Sequence, residues 1–309
     1  MATKLLDPKI LSKIGRLDLK AKYVVEGFIS GMHRSPFHGF SVEFAQHRGY
    51  VPGDDLKHLD WRVYGKNERY YIKQYEAETN LVCTVLLDGS ESMAYGSARA
   101  ADKLTKLEYG KLITAALTYL VLGQSDAMSV GVFDEKLKTW IERSTRKVHL
   151  NRICSTLDTI QPQKKTGVGS ILHTVAERVR RRGIVVLISD LFDSVDNLIE
   201  GIQHLRHGGH EVVVLHVMDD DELNFPFDGL IQFKGLEINN ELLCHPRQVK
   251  KAYLAEVEKF LTRMRAACQK NGVDYVLMNT THSVDVGLSA YLASRVRMNL
   301  RGASGAIRA

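Results

Sequence analysis

Apolar residues along this chain fall into two kinds of pattern. Short continuous runs rich in Val, Ile and Leu suit strands covered on both faces. They occur at LVCTVLL (81–87), GIVVLIS (183–189), EVVVLHVM (211–218) and VDYVLMN (273–279). Between them apolar positions recur at helical spacing over 105–122, 148–160, 170–181, 194–207 and 247–270, with a last helix near 286–297. AMSVGVF (127–133) and LKTWI (137–141) are separated only by Asp134, Glu135 and Lys136, which predicts a hairpin and therefore one antiparallel edge strand. This alternation predicts an α/β fold, a doubly wound, mostly parallel, Rossmann-like sheet.

Residues 1–80 follow neither pattern. They are polar and interrupted, mixing an amphipathic stretch at 19–32 with the turn-rich SPFHG and VPGDDLKHLDW. They read as an N-terminal extension packed on a core domain of 81–300, with 301–309 as a flexible tail. A second departure is 219–240, where an acidic start is followed by NFPFDG and IQFKGLEI. It predicts an inserted turn and short hairpin.

Composition narrows the class. The chain has 309 residues, 44% of them apolar, enough for a sizeable core. Its formal charge of +6 is a mild surplus of 42 basic over 36 acidic residues. The densest basic spots, Arg178, Arg180, Arg181 and Arg182, and then Arg295, Arg297, Arg301 and Arg308, read as solvated helix faces before nucleic-acid contacts. Cys83, Cys154, Cys244 and Cys268 form no CxxC pair and no signal segment opens the chain, so reduced thiols in a cytoplasmic protein are expected. The apolar runs are too short to span a bilayer, and the histidines show no HExxH spacing that would suggest zinc.

In open α/β sheets ligands bind beyond the carboxyl ends of the strands where the winding reverses. Two such ends carry chemistry, Asp88-Gly89-Ser90-Glu91-Ser92 after the first buried run and Ser189-Asp190 after GIVVLIS. Mg²⁺ takes oxygen ligands in near-octahedral array, and the DxSxS spacing can turn Asp88, Ser90 and Ser92 inward, with Gly89 permitting a tight turn. Hydroxyl ligands leave the cation short of negative charge, so an Asp or Glu from another molecule would be favoured at an open position. The competing reading is a simple helix cap, a common use of Asp and Ser.

DGSESM after a buried strand resembles the metal-ion-dependent adhesion site of von Willebrand factor A domains. The resemblance implies that a threonine from a later loop and an aspartate after a later strand complete the site; the matching positions are Thr166, in KKTGVGS, and Asp190. Mg²⁺, or Mn²⁺ with the same oxygens, is the implied ion. The upstream HRGYVPGDDLKHLDWRVYGKNERYYIKQYEAE, with VMDDDELNFPF downstream, resembles the bacterial family called domain of unknown function 58. That likeness implies an adaptor or chaperone-like partner of a MoxR-type AAA ATPase, acting by protein–protein contact without catalysis.

The sequence admits other readings. A haloacid-dehalogenase-like phosphatase needs a second carboxylate where Ser90 stands, and a serine hydrolase needs a GxSxG elbow that GSESM does not supply. A metal-dependent hydrolase could use Asp54, Asp55 and Asp60, although a turn at Pro52-Gly53 with Trp61 packed on the core explains that run without chemistry. Asp219, Asp220, Asp221 and Glu222 could form a second cation site or a partner-facing rim, with a solvated acidic turn as the preferred reading.

Overall fold

The computed structural model describes residues 17–18, 21, 47–49, 63–65, 70–73, 81–97, 104–163, 165–236, 241–288 and 291. They form two units, one of 47–49, 63–65 and 70–73, the other of the remainder. In the smaller unit β1 (His47–Gly49) pairs antiparallel with β2 (Tyr71–Lys73), and Tyr64 stacks on Tyr70 at 4.5 Å between ring centroids. Asp54, Asp55, Asp60 and Trp61 lie outside the described residues, as do Arg295, Arg297, Arg301 and Arg308.

The larger unit is built on a six-stranded sheet. Its strands are β3 (Val82–Asp88), β4 (Ala127–Phe133), β5 (Leu137–Ser144), β6 (Ile184–Ser189), β7 (Glu211–Met218) and β10 (Asp274–Asn279), in the order β10-β7-β6-β3-β4-β5. Every pairing is parallel except β4 with β5, the expected hairpin. Alternate residues of the continuous apolar runs feed two cores, which is why those runs carry almost no polar position. Val85 and Leu87 of β3, Val186 and Ile188 of β6, and Val213 and Leu215 of β7 face α1 (Lys106–Gly123) and α2 (His149–Thr159). Leu86, Val185, Leu187, Val212 and Val214 face α3 (Val168–Arg178), α4 (Val195–His207) and α6 (Pro246–Lys270).

Three expectations need correction. Helix α3 ends at Arg178, three residues early, so Arg180, Arg181 and Arg182 lie in the connection to β6 and not on a helix face. The chain leaves the helical conformation at Val179, and further on Gly183 lies against the Val82 carbonyl, too close for any side chain. The insertion also reaches further than 240. It comprises α5 (Asp220–Asn224) and a hairpin of β8 (Ile231–Lys234) with β9 (Glu241–Cys244), seated by Phe225, Phe227, Phe233 and Tyr253. Finally, the acidic run is not a solvated turn. Asp219 is fully buried, because its carboxylate caps α5, accepting from the Asp221 N–H, and also takes the Ser97 N–H and the Thr280 hydroxyl. Among the described residues no helix is long and apolar enough to cross a membrane.

Candidate metal centre

The strand order places β3 and β6 side by side at the point where the winding reverses: from β3 the chain moves outward to β4 and β5, then returns past β3 to build β6, β7 and β10. No helix covers the crevice at such a reversal. Asp88 closes β3, and Ser189 and Asp190 close β6, so the parallel register delivers both carboxylates to one edge. Backbone bonds then fasten the loops around them. Gly89 donates its N–H to Phe133 O at 2.7 Å and accepts from the Gln163 N–H at 3.0 Å, while the Gly167 N–H reaches Asp134 O at 3.2 Å. These ties bring the loop carrying Thr166 over the end of β3. Gly89 achieves its turn without a left-handed backbone.

The five residues singled out from sequence converge. Asp88 and Ser90 are fully buried, Ser92 and Asp190 nearly so. Asp88 Oδ1 accepts the Ser90 N–H at 2.9 Å, and Oδ2 accepts the Thr166 hydroxyl at 3.0 Å. The Ser90 and Ser92 hydroxyls lie 3.0 Å apart, and Ser92 also hydrogen-bonds the Asp190 carboxylate. Residues to which sequence reasoning gave no role at this centre complete the surroundings. Ser189 donates to Asp88 Oδ2 at 2.6 Å and accepts from the Leu191 N–H. Lys106, 2% exposed, donates to Asp190 Oδ2 at 2.8 Å and to Glu222 Oε1 at 2.7 Å. His216 Nε2 donates to the Asp190 carbonyl at 2.9 Å, which leaves Nδ1 to accept from Tyr275 at 2.6 Å. Of these, Ser189 stands out in the sequence as a polar residue closing an apolar run, and Glu222 as part of the acidic run after β7.

Electrostatics divides the two aspartates. Burial, then the neighbouring charge of Asp190, pushes Asp88 up to about 7 against the bonds from Ser189 and Ser90. Burial would raise Asp190 as well, but the Lys106 ammonium and the bonds from Lys106 and Ser92 hold it below the usual carboxylate range. Burial takes His216 down to about 4, so it is neutral beneath the loop. That loop is strained: Leu191 is buried with φ of 56°, a left-handed conformation that costs a non-glycine residue about 1 kcal/mol or more. The consequence is that the next residue, Phe192, is thrown out to 68% exposure at the rim of the centre.

The donor set fits a hard divalent cation. It consists of oxygens only, two from buried carboxylates and the rest from hydroxyls, gathered by strand ends that position them before any ion arrives. A buried carboxyl held near 7 beside a second carboxylate is the signature of a place short of positive charge. Asp88, Ser90, Ser92, Thr166 and Asp190 would hold the ion, which would supply an electrophilic point of attachment for an acidic group.

A sheet of order 3-2-1-4-5-6 with its third strand antiparallel, carrying this hydroxyl and carboxylate cluster at its reversal point, is von Willebrand factor A-like. The chain belongs to the family described as "Protein of unknown function DUF58", whose profile matches residues 46–262. It is 26% identical over 235 residues to an uncharacterized protein of Mycobacterium tuberculosis and equally so to one of Mycobacterium bovis, covering 75% of this chain and 72% of each relative. Among solved structures it is similar to an aerotolerance-related membrane protein from Bacteroides fragilis (17% identity, 69% of this chain and 99% of that one, TM-score 0.47). It is also similar to the conserved hypothetical protein BatB from Bacteroides thetaiotaomicron (16%, 70% and 99%, 0.42) and to the SpRpn10 VWA domain (9%, 67% and 93%, 0.41). The topology above carries the fold; these likenesses accompany it.

Proposed function

We propose that this protein is a cytoplasmic, metal-dependent interaction module that binds an acidic side chain of a protein partner through Mg²⁺ held by Asp88, Ser90, Ser92, Thr166 and Asp190. The observation that carries this reading is the convergence of these side chains at the carboxyl ends of β3 and β6, with the Thr166 and Ser189 hydroxyls and the Ser90 N–H all donating to one buried carboxylate, Asp88. Hydroxyls bring no charge to the ion, so its positive charge is left for a partner's carboxylate. The exposed Phe192 offers that partner an apolar contact beside the ion. The adaptor or chaperone-like role toward a MoxR-type AAA ATPase or its client is the one implied by the resemblance that HRGYVPGDDLKHLDW and VMDDDELNFPF carry. The test is affinity capture with wild type and Asp88→Ala, each in Mg²⁺ or EDTA, after both are shown to fold. A MoxR-type ATPase held only by wild type in Mg²⁺ supports the reading; capture indifferent to both the residue and the metal refutes it.

A further inference from the structure

Lysine is rarely buried unless paired, and Lys106 is buried where a cation matters most. It is the first residue of α1, and its N–H donates to the Tyr95 carbonyl at 2.8 Å, so its place is fixed by the loop that follows the serines. Its ammonium joins Asp190 Oδ2 to Glu222 Oε1. The second oxygen of Glu222 accepts the Asp219 N–H at 2.8 Å, and the Asp219 carboxylate is anchored by Ser97 and Thr280. One positive charge thus ties the carboxylate closing β6 to the acidic turn that follows β7.

The two oxygens of Asp190 are treated unequally. Oδ2 accepts from Lys106 at 2.8 Å, whereas Oδ1 takes a long bond of 3.4 Å from the Phe192 N–H. We propose that Lys106 is the resident counter-ion of the metal centre, a positioning residue that withholds part of the charge of Asp190 from the divalent ion and so keeps that ion weakly bound and strongly attractive to an acidic partner. Glu222 is the counterweight, because it draws the same ammonium away from Asp190. This inference rests on the metal-centre reading above. Its physical basis is direct: within a buried site, a unit positive charge touching a ligand carboxylate opposes a second cation by about a factor of ten or more. A lysine present only for stability would act in the opposite sense, since losing it would unpin Asp190 and weaken the ion's hold.

The experiment titrates the full chain with Mn²⁺ alone, reading the free ion by electron paramagnetic resonance, for wild type, Lys106→Met, Lys106→Arg, Glu222→Gln and Asp88→Ala. Circular dichroism and urea unfolding establish which variants fold. Lys106→Met is expected to bind Mn²⁺ about tenfold tighter or more than wild type, Lys106→Arg to stay within about threefold because the charge is kept, and Glu222→Gln to bind about threefold weaker or more. A folded Lys106→Met that binds no tighter than wild type overturns the inference. If that variant does not fold, Glu222→Gln decides, and unchanged or tighter binding overturns it. Mn²⁺ bound equally by wild type and Asp88→Ala, or by none of the proteins, overturns the metal-centre reading itself.

Discussion

Replacing Asp88 with Asn should stabilise the metal-free protein while abolishing its response to Mg²⁺. Without a cation, Asp88 is a buried carboxyl facing a second, ionised carboxylate, and its pKa rises from 3.8 to about 7. A raised folded pKa means that the native state binds the proton more tightly than the unfolded chain. The stability it contributes is therefore present below the unfolded value near 3.8 and is lost as pH rises through about 7. Carrying one carboxyl over that interval corresponds to about 4 kcal/mol, and because the cost belongs to the Asp88–Asp190 pair, a gain on the order of 2–4 kcal/mol is expected from Asn at pH 8. The amide keeps an oxygen for the Ser90 N–H, and the Thr166 hydroxyl can turn to accept from its nitrogen. The assay is urea unfolding of both proteins in EDTA from pH 4 to 8, repeated at pH 8 with Mg²⁺. In EDTA the advantage of the variant over wild type should grow steadily from pH 4 up to about pH 7, since the other titrating groups are common to both; in Mg²⁺ only the wild type should recover. An Asn variant less stable than wild type at pH 8 in EDTA, or parallel pH profiles, would refute the reasoning.

Three further outcomes follow from the same geometry. Gly201→Ala places a methyl 2.7 Å from Leu172 Cβ and 3.0 Å from the Gly169 carbonyl, where α3 crosses α4, and should cost about 1–3 kcal/mol in urea unfolding. His149, His210 and His216 all have lowered pKa values, chiefly through burial, with His216 down to about 4. Stability they contribute is complete above the unfolded value of 6.5 and lost as pH falls toward their folded values, so His216→Gln should flatten the acid limb of a melting profile between pH 6.5 and 4. Asp193→Ala removes the acceptor for the Gly169 N–H in the first turn of α3 and should cost about 1 kcal/mol, with faster amide exchange in 165–170.

Much of this protein was legible in its sequence because the signals are local. Continuous apolar runs marked β3, β6 and β7 to within a residue, since a strand covered on both faces has no room for alternation. Asp88, Ser90 and Ser92 were legible together because they lie on one short turn. The end of α3 was not, because the apolar spacing runs on past Arg178 while the chain must already turn toward β6, whose place beside β3 is set by pairing with residues far earlier in the chain. What only the tertiary structure decided is the charge balance of the centre. Lys106 meets Asp190 across 84 residues and Glu222 across 116, and Thr166 meets Asp88 across 78. A lysine opening a helix and a run of acids after a strand each look solvent-facing when read alone. They become a buried ion pair only because the parallel sheet brings the carboxyl ends of β3, β6 and β7 to one edge, where neither charge could be left without the other.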